Sequence, residues 1–466
     1  MAKPKKRFWL KLSLILLSLI LIPVLGVIVF IGVWQHRGSR AVTAELARIT
    51  EAGEPASAAE LEEFYAAPPA EADCTEFWLQ AFKILDTEDF HDTYWDLGFD
   101  GGGKFSGPAP GKPWPQLGEA EAFLEQYSEA LSLIHEAASR GGAARFPTDF
   151  SLGINMKMPE LERLRLCARL IEVEAYVRAH HGDIAGAAES IRAMHTVAES
   201  LSGYPILVAY LVNIYIRGIE MDSLEELLPV VPFTDEQLAG FRDDIIAAED
   251  SQDLYHAWVG ERAVIITVFR DPESIDENCF IEKPWTDVLL LNDADLAWTL
   301  NCYAGWIAIS KGPWPEALEE SLRLSTEFEQ SMDAMNSVQK LAFLGTVQLL
   351  PAANACFIAE AKFLARARAA DAALAAQLYR RGHGRWPEKL EDLVPEFLAQ
   401  VPTDPFDGKP LRVHHTEDEL VIYSVGEDGN DDGGHYVTEE LSVSGSVPLD
   451  VTFVLRRAER VSAESE

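Results

Sequence analysis

Residues 161–201, LERLRLCARLIEVEAYVRAHHGDIAGAAESIRAMHTVAESL, decide the fold class. Leu164, Cys167, Ala168, Ile171, Ala175 and Val177 recur near helical spacing, and Ala187, Ala188, Ile191 and Met194 repeat the pattern beyond His181-Gly182-Asp183. Apolar side chains three and four apart share one stripe of a helix, so the spacing predicts helices over Leu161–His181 and Ile184–Leu201. Glycine at the joint permits the left-handed backbone that ends a helix, and the two fold back as an antiparallel hairpin.

Working outward, Pro205 to Leu228 is apolar almost all round and is expected to be a central helix. Pro229 and Pro232 end it, and Thr234 with Gln237 forms a capping box for the next helix. Asn292-Asp293 opens another helix, and Pro313 and Pro315 break the chain after it. Residues 159–368 therefore read as an α-helical, repeat-like domain, whose first hairpin resembles a single tetratricopeptide unit. Before it, residues 41–158 read as a stalk helix from Ala41 to Glu63 and a loop-rich region, with Gly118–Ser139 helical. After it, a helix over Phe357–Tyr379 stops at Gly382, and short β-prone runs follow at Leu411–His415, Glu419–Ser424 and Leu449–Arg456. Residues 369–456 thus make a small α+β domain, and 457–466 a flexible tail. The fold class is mainly α.

The first 40 residues stand apart. Lys3, Lys5, Lys6 and Arg7 precede an apolar run from Leu12 to Trp34. At ~1.5 Å per residue that run spans ~34 Å as a helix, against a bilayer core of ~30 Å. A cleaved signal peptide has a shorter apolar core and a small-residue cleavage site. This run instead ends in Trp34-Gln35-His36-Arg37, so an uncleaved anchor is expected, with the basic tip cytoplasmic and the bulk across the membrane. Seven of the 39 Lys and Arg residues lie in that segment with no acid; the remainder carries 32 basic against 75 acidic residues, a net charge of −43. A body this acidic repels phosphate backbones, which excludes nucleic acid as the expected partner. Five cysteines (Cys74, Cys167, Cys279, Cys302, Cys356) show no CxxC spacing. One disulfide, Cys279–Cys302, stays open as an alternative, and buried free thiols are the expectation.

The most specific chemistry lies near the C-terminus, at Asp428-Gly429-Asn430-Asp431-Asp432-Gly433 with Glu439 following. It fits the calcium-loop template of oxygen donors at positions 1, 3 and 5, glycine at 6 and a carboxylate at 12. The expected ligands are the side chains of Asp428, Asn430, Asp432 and Glu439 and the carbonyl of Gly434. Around this loop run Tyr379, Gly384, Trp386-Pro387, Leu390, Leu393-Val394-Pro395, Pro402, Asp404-Pro405-Phe406, Gly408, Pro410-Leu411 and Tyr423-Ser424-Val425-Gly426. With Asp428-Gly429 these resemble the globular head of type II secretion major pseudopilins, over about 60 of the 466 residues. The resemblance implies a long helix packed on a small antiparallel sheet and a structural calcium ion, for which Asp431 is a further candidate ligand. The chain departs from that family in lacking the Gly-Phe-Thr-Leu-x-Glu peptidase site and in placing a large body between anchor and head. A head module reused on another membrane protein is the resulting expectation.

Other motifs are weaker. Gly98 to Lys104 matches most of a phosphate-binding loop, but Phe105 stands where Ser or Thr would hold magnesium, so no nucleotide is expected. His180-His181 and His414-His415 are adjacent pairs whose side chains diverge on a helix or strand. Glu261-Arg262 reads as an amphipathic boundary, and most of the 11 tryptophans as core. No Gly-x-Ser-x-Gly or His-Glu-x-x-His occurs. The expected function is a scaffold of the bacterial inner membrane that binds an unidentified protein partner, in secretion or envelope assembly. The alternatives are an extracytoplasmic hydrolase or receptor with carboxylates around Glu261, Glu277 or Asp295, and a working secretion pseudopilin.

Overall fold

The computed structural model describes residues 5–85, 90, 93–94, 96–97, 112–249, 251–271, 292–343, 346, 350, 353–435 and 450–456. Side chains at 5–20, 23–24, 27–28, 30–31, 338 and 341–342 are outside that description. Helices α1 (Lys5–Glu51), α2 (Ala58–Phe64), α3 (Thr75–Leu85), α4 (Leu117–Gln126) and α5 (Ser128–Ser139) precede a 3₁₀ turn at Phe150–Asn155. The hairpin follows as α6 (Pro159–His180) and α7 (Ile184–Glu199), with Gly182 at φ +71° in its joint. Then come α8 (Leu207–Leu227), α9 (Asp235–Glu249), α10 (Asp253–Arg270), α11 (Asp293–Ile309), α12 (Glu316–Ala334), α13 (Ser337–Ala342) and α14 (Ala353–His383). The chain closes with β1 (Arg412–His415), β2 (Glu419–Ser424) and β3 (Val451–Arg456), an antiparallel sheet in that order.

The helix starts follow local chemistry. The amide of Gln237 donates to Thr234 Oγ1 at 3.2 Å while Thr234 N–H donates to Gln237 Oε1 at 2.8 Å, a complete capping box. Asn292 Oδ1 accepts from Ala294 N and Asp295 N at 2.9 and 3.0 Å at the start of α11. In the hairpin, Leu164, Cys167, Ala168, Ile171 and Ala175 are all fully buried, as the periodicity predicts.

One segment differs from its expected role. The stalk expected from Ala41 to Glu63 is instead the end of α1 and the whole of α2, turned into the body. Val42 and Ile49 are 2 % exposed in a core shared with α10, α11 and α14. Among the described residues no helix is long and apolar enough to cross a membrane, and much of the 12–34 run lies outside the described side chains.

α14 joins the parts. Ala353, Cys356, Phe357 and Ala361 belong to the α1–α10–α11 core, while Leu364 to Tyr379 belong to the core of α2–α9 and the sheet. Its alanines at 369, 370, 372, 373, 375 and 376 are fully buried, so α8, α9 and the sheet approach its backbone closely. The proposed boundary at 368/369 falls inside this helix. Ion pairs cross the same seam: Arg366 with Asp222 at 2.8 Å, Arg368 with Glu249 at 2.6 Å, and Arg456 with Glu226 at 3.1 Å.

α8 is central but not uniformly buried. Val208 and Leu211 are exposed, whereas Asn213, Arg217, Glu220 and Glu225 are buried among α7, α6 and α14. A second polar seam runs along α6. Glu172 is fully buried, and its Oε2 accepts from Tyr94 OH at 3.1 Å and Arg169 Nη1 at 2.9 Å. Its Oε1 has no hydrogen-bond partner among the described residues. Burial pushes the Glu172 carboxyl up to about 7, against the lowering pull of Arg169 and Tyr94.

This shift fixes a sign. Between the unfolded value, about 4.5, and about 7 the native chain keeps a proton that the unfolded chain has lost. Glu172 thus contributes stability below pH ~4.5 that is lost as pH rises toward ~7, by up to about 3 kcal/mol. Urea denaturation of the full chain in detergent should show that decline, and Glu172→Gln should flatten it. Identical pH slopes in the two proteins would refute the shift.

Candidate functional site

The acidic loop leaves β2 through Val425-Gly426 and turns at Gly426, Gly429, Gly433 and Gly434, all at φ between +67° and +77°. Gly434 lies on the Tyr423 ring so closely that a Cβ would meet Cδ1 at 2.8 Å, and only glycine fits there. Leu420, Ile422, Phe453 and Leu455 face α14, whereas Val421, Tyr423 and Val454 form a small cluster of their own. Tyr423 therefore belongs to that separate cluster, beneath the acidic loop, and its hydroxyl donates to Asp431 at 3.0 Å.

A guanidinium organises this end of the protein. Arg412, on β1, donates from Nη1 to Asp404 at 2.8 Å, from Nη2 to Asp407 at 2.5 Å and from Nε to Asp431 at 3.2 Å. Asp404 is fully buried and also accepts from Phe406 N, Ser424 Oγ and Val425 N at 2.7–2.9 Å. One cation thereby ties the Asp404–Gly408 turn, the strand and the acidic loop together. Partial desolvation raises Asp431, but the Gly433 amide, the Tyr423 hydroxyl and Arg412 outweigh it and hold the carboxyl below the usual range. Asp407 is depressed in the same way, desolvation being outweighed mainly by its hydrogen bond from Arg412.

The sequence-predicted ligands separate around this centre. Asp428 accepts from Asn430 N at 3.0 Å and from Asn430 Nδ2 at 2.9 Å, which lowers its pKa. Asp432 and Gly434 donate their amides to Asp450 at 3.4 and 2.8 Å. Burial raises Asp450 against those two bonds. Asp428, Asn430 and Asp432 are exposed, and Glu439 lies outside the described residues. Among the described residues no group of three or more His, Cys, Asp or Glu is placed to hold a metal ion. Sequence reasoning missed Arg412, Asp404, Asp407 and Asp450. Asp404 was legible only within the motif Asp404-Pro405-Phe406, and a basic residue amid so many acids was the available signal for Arg412.

The other candidates resolve individually. His180 Nδ1 meets the Tyr176 carbonyl at 3.0 Å, and His181 Nε2 meets Glu121 at 2.7 Å, so the two rings serve different partners. His415 Nε2 meets the Glu388 carbonyl at 3.2 Å. Glu261 and Arg262 do not pair. Glu261 accepts the Leu207 amide at 3.3 Å, capping α8, with its pKa raised by burial, while Arg262 meets Glu54 at 2.9 Å. Asp295 is fully buried and accepts the Thr346 amide at 3.1 Å. Trp258 packs on Trp306 at 5.1 Å and Phe357 at 5.7 Å, as core. Cys74, Cys167 and Cys302 are free thiols. Glu277, Cys279 and the stretch 98–104 lie outside the described residues.

A cavity of about 340 Å³ lies between the Phe64–Pro68 loop, Gly141–Ala144 and the end of α7, with Glu199, Ser202 and His256 as its polar lining. Ser202 Oγ donates to Asp253 at 3.0 Å, and Asp253 also accepts the Gly203 amide at 2.8 Å. Desolvation lowers the His256 pKa against the opposing pull of Asp253. The serine proton is thus directed at the Asp253 carboxylate.

Removing Arg412 strands a buried carboxylate. Arg412→Gln should lower the unfolding free energy by about 2–3 kcal/mol, below the range for a fully buried pair because the guanidinium is partly exposed. Arg412→Gln with Asp404→Asn should recover part of that loss in chemical denaturation. Additive losses would show that the two groups are not coupled.

No family model matches the chain, and no curated protein or solved structure matches it either.

Proposed function

We propose that the chain is a single-pass protein of the bacterial inner membrane, anchored by residues 12–34, with an acidic extracytoplasmic helical body that acts as a scaffold for a protein partner. The observation that carries this reading is the continuity of α1. One helix runs from Lys5 beside the basic tip to Glu51 inside the body. At Gly38 a Cβ would stand 2.6 Å from the Ala294 amide nitrogen, so α1 and α11 meet backbone to backbone. A chain so built has no hinge between anchor and body, and the body is held in one orientation over the bilayer. Such fixed presentation suits assembly, and the net charge of the remainder suits a partner with a basic face.

The head supports the same reading. Its long helix is the last helix of the body, and Arg366, Arg368 and Arg456 fasten the two together. A pseudopilin-like head held this way is a fixed end-piece of the scaffold. We further propose that calcium fastens its loop through Asp428, Asn430, Asp432, the Gly434 carbonyl and Glu439. The support is composition and exposure: the first three side chains are on the surface beside glycines that let the backbone turn inward. The carboxylates expected to serve a hydrolase, Glu261 and Asp295, are engaged with backbone amides.

Two measurements test this. The full chain should stay with membranes through alkaline carbonate washing, and protease outside spheroplasts should digest the body. Recovery in the soluble fraction would sink the anchor, and cross-linking on spheroplasts that yields no larger adduct would sink the scaffold role. Calcium should raise the melting temperature of the detergent-solubilised chain, and Asp428→Asn should abolish the rise. An unmoved wild type would leave the loop fastened by Arg412, Tyr423 and Asp450 without an ion.

A further inference from the structure

The end of α1 and the start of α11 flank a groove of about 490 Å³, open along one side. Trp34, Arg37 and Ala41 line it from α1, Ala297 and Trp298 from α11, and Met335 from just beyond α12. Its floor is aromatic: Phe343 meets Trp298 edge-on at 5.1 Å and Trp34 at 6.0 Å. Gly38 keeps the two helix backbones in contact beside it, so the floor is rigid. Polar lining comes from the exposed side chains of Arg37 and Ser331.

Position identifies the occupant. Trp34 is the last residue of the apolar run and Arg37 lies one turn beyond it, so the groove opens where α1 leaves the bilayer. Tryptophan suits that depth because it combines an apolar body with one N–H donor. The guanidinium fork of arginine suits phosphate oxygens. A molecule carrying an alkyl chain and a phosphate at adjacent depths is a phospholipid. We propose, resting on the anchoring reading above, that this groove holds one acyl chain of a membrane phospholipid whose phosphate is bound by Arg37.

The test uses the full chain in phospholipid nanodiscs doped with a phosphatidylcholine bearing an acyl-chain diazirine, with sites of photolabelling mapped by mass spectrometry. Label is expected at Trp298, Met335 and Phe343 as well as within 12–33. Ser331→Trp, an exposed substitution that fills the groove, should reduce the body label severalfold and leave the anchor label unchanged. Arg37→Gln should reduce the body label through the headgroup. Label confined to 12–33, or body label untouched by both variants, would overturn the groove while leaving the anchor standing. An unlabelled 12–33 segment would overturn the anchor, and this inference with it.

Discussion

The architecture depends on one helix that is shared by two cores. α14 can sit between two cores because its middle is alanine apart from Asp371 and Leu374, and every residue from 369 to 376 except Asp371 is fully buried. Small side chains let neighbouring backbones approach, so dispersion contacts are made by main chain as well as by side chain. Larger residues there would force α8, α9 and the sheet outward together. That shared dependence couples the C-terminal sheet to the helices packed on α14, although their sequences differ in character.

Charge is the second constraint. With 39 basic against 75 acidic residues, each arginine has a surplus of possible partners. The buried or half-buried ones join different elements: Arg217 reaches Glu199, Arg262 reaches Glu54, Arg366 reaches Asp222, and Arg412 collects three aspartates. Surface pairs within one helix, such as Arg323 with Glu320, contribute little because water screens them. The interior pairs differ in kind. Losing one partner leaves a charge out of water, so the cost falls on the whole unit. Acidic composition and arginine stapling are two sides of one design, in which repulsion between surfaces is offset at a few internal points.

Legibility followed the range of the interaction. Elements set by local pattern were readable: the α6–α7 hairpin, the Thr234–Gln237 box, the Asn292 cap and all three strands agree within a few residues. The candidate site was readable only as a loop. Its glycines marked the turns, but the partners of Asp431 lie 19 and 8 residues away, on strands whose register the loop does not encode. The stalk expectation failed for a related reason. Alanine and glutamate report helix propensity without reporting what the helix touches, and Val42 and Ile49 were too few to betray a buried side.

The sequence by itself determined the mainly helical class, the hairpin boundaries, the acidic character and the apolar run at 12–34, because these rest on composition and on periods of two or 3.6 residues. Tertiary structure alone decided that α1 ends packed against α10, α11 and α14, that α14 serves two cores, and that Arg412 rather than a visible cluster of acids organises the C-terminal end. Those outcomes depend on contacts between residues far apart in the chain, whose energies exist only once the backbone has brought them together.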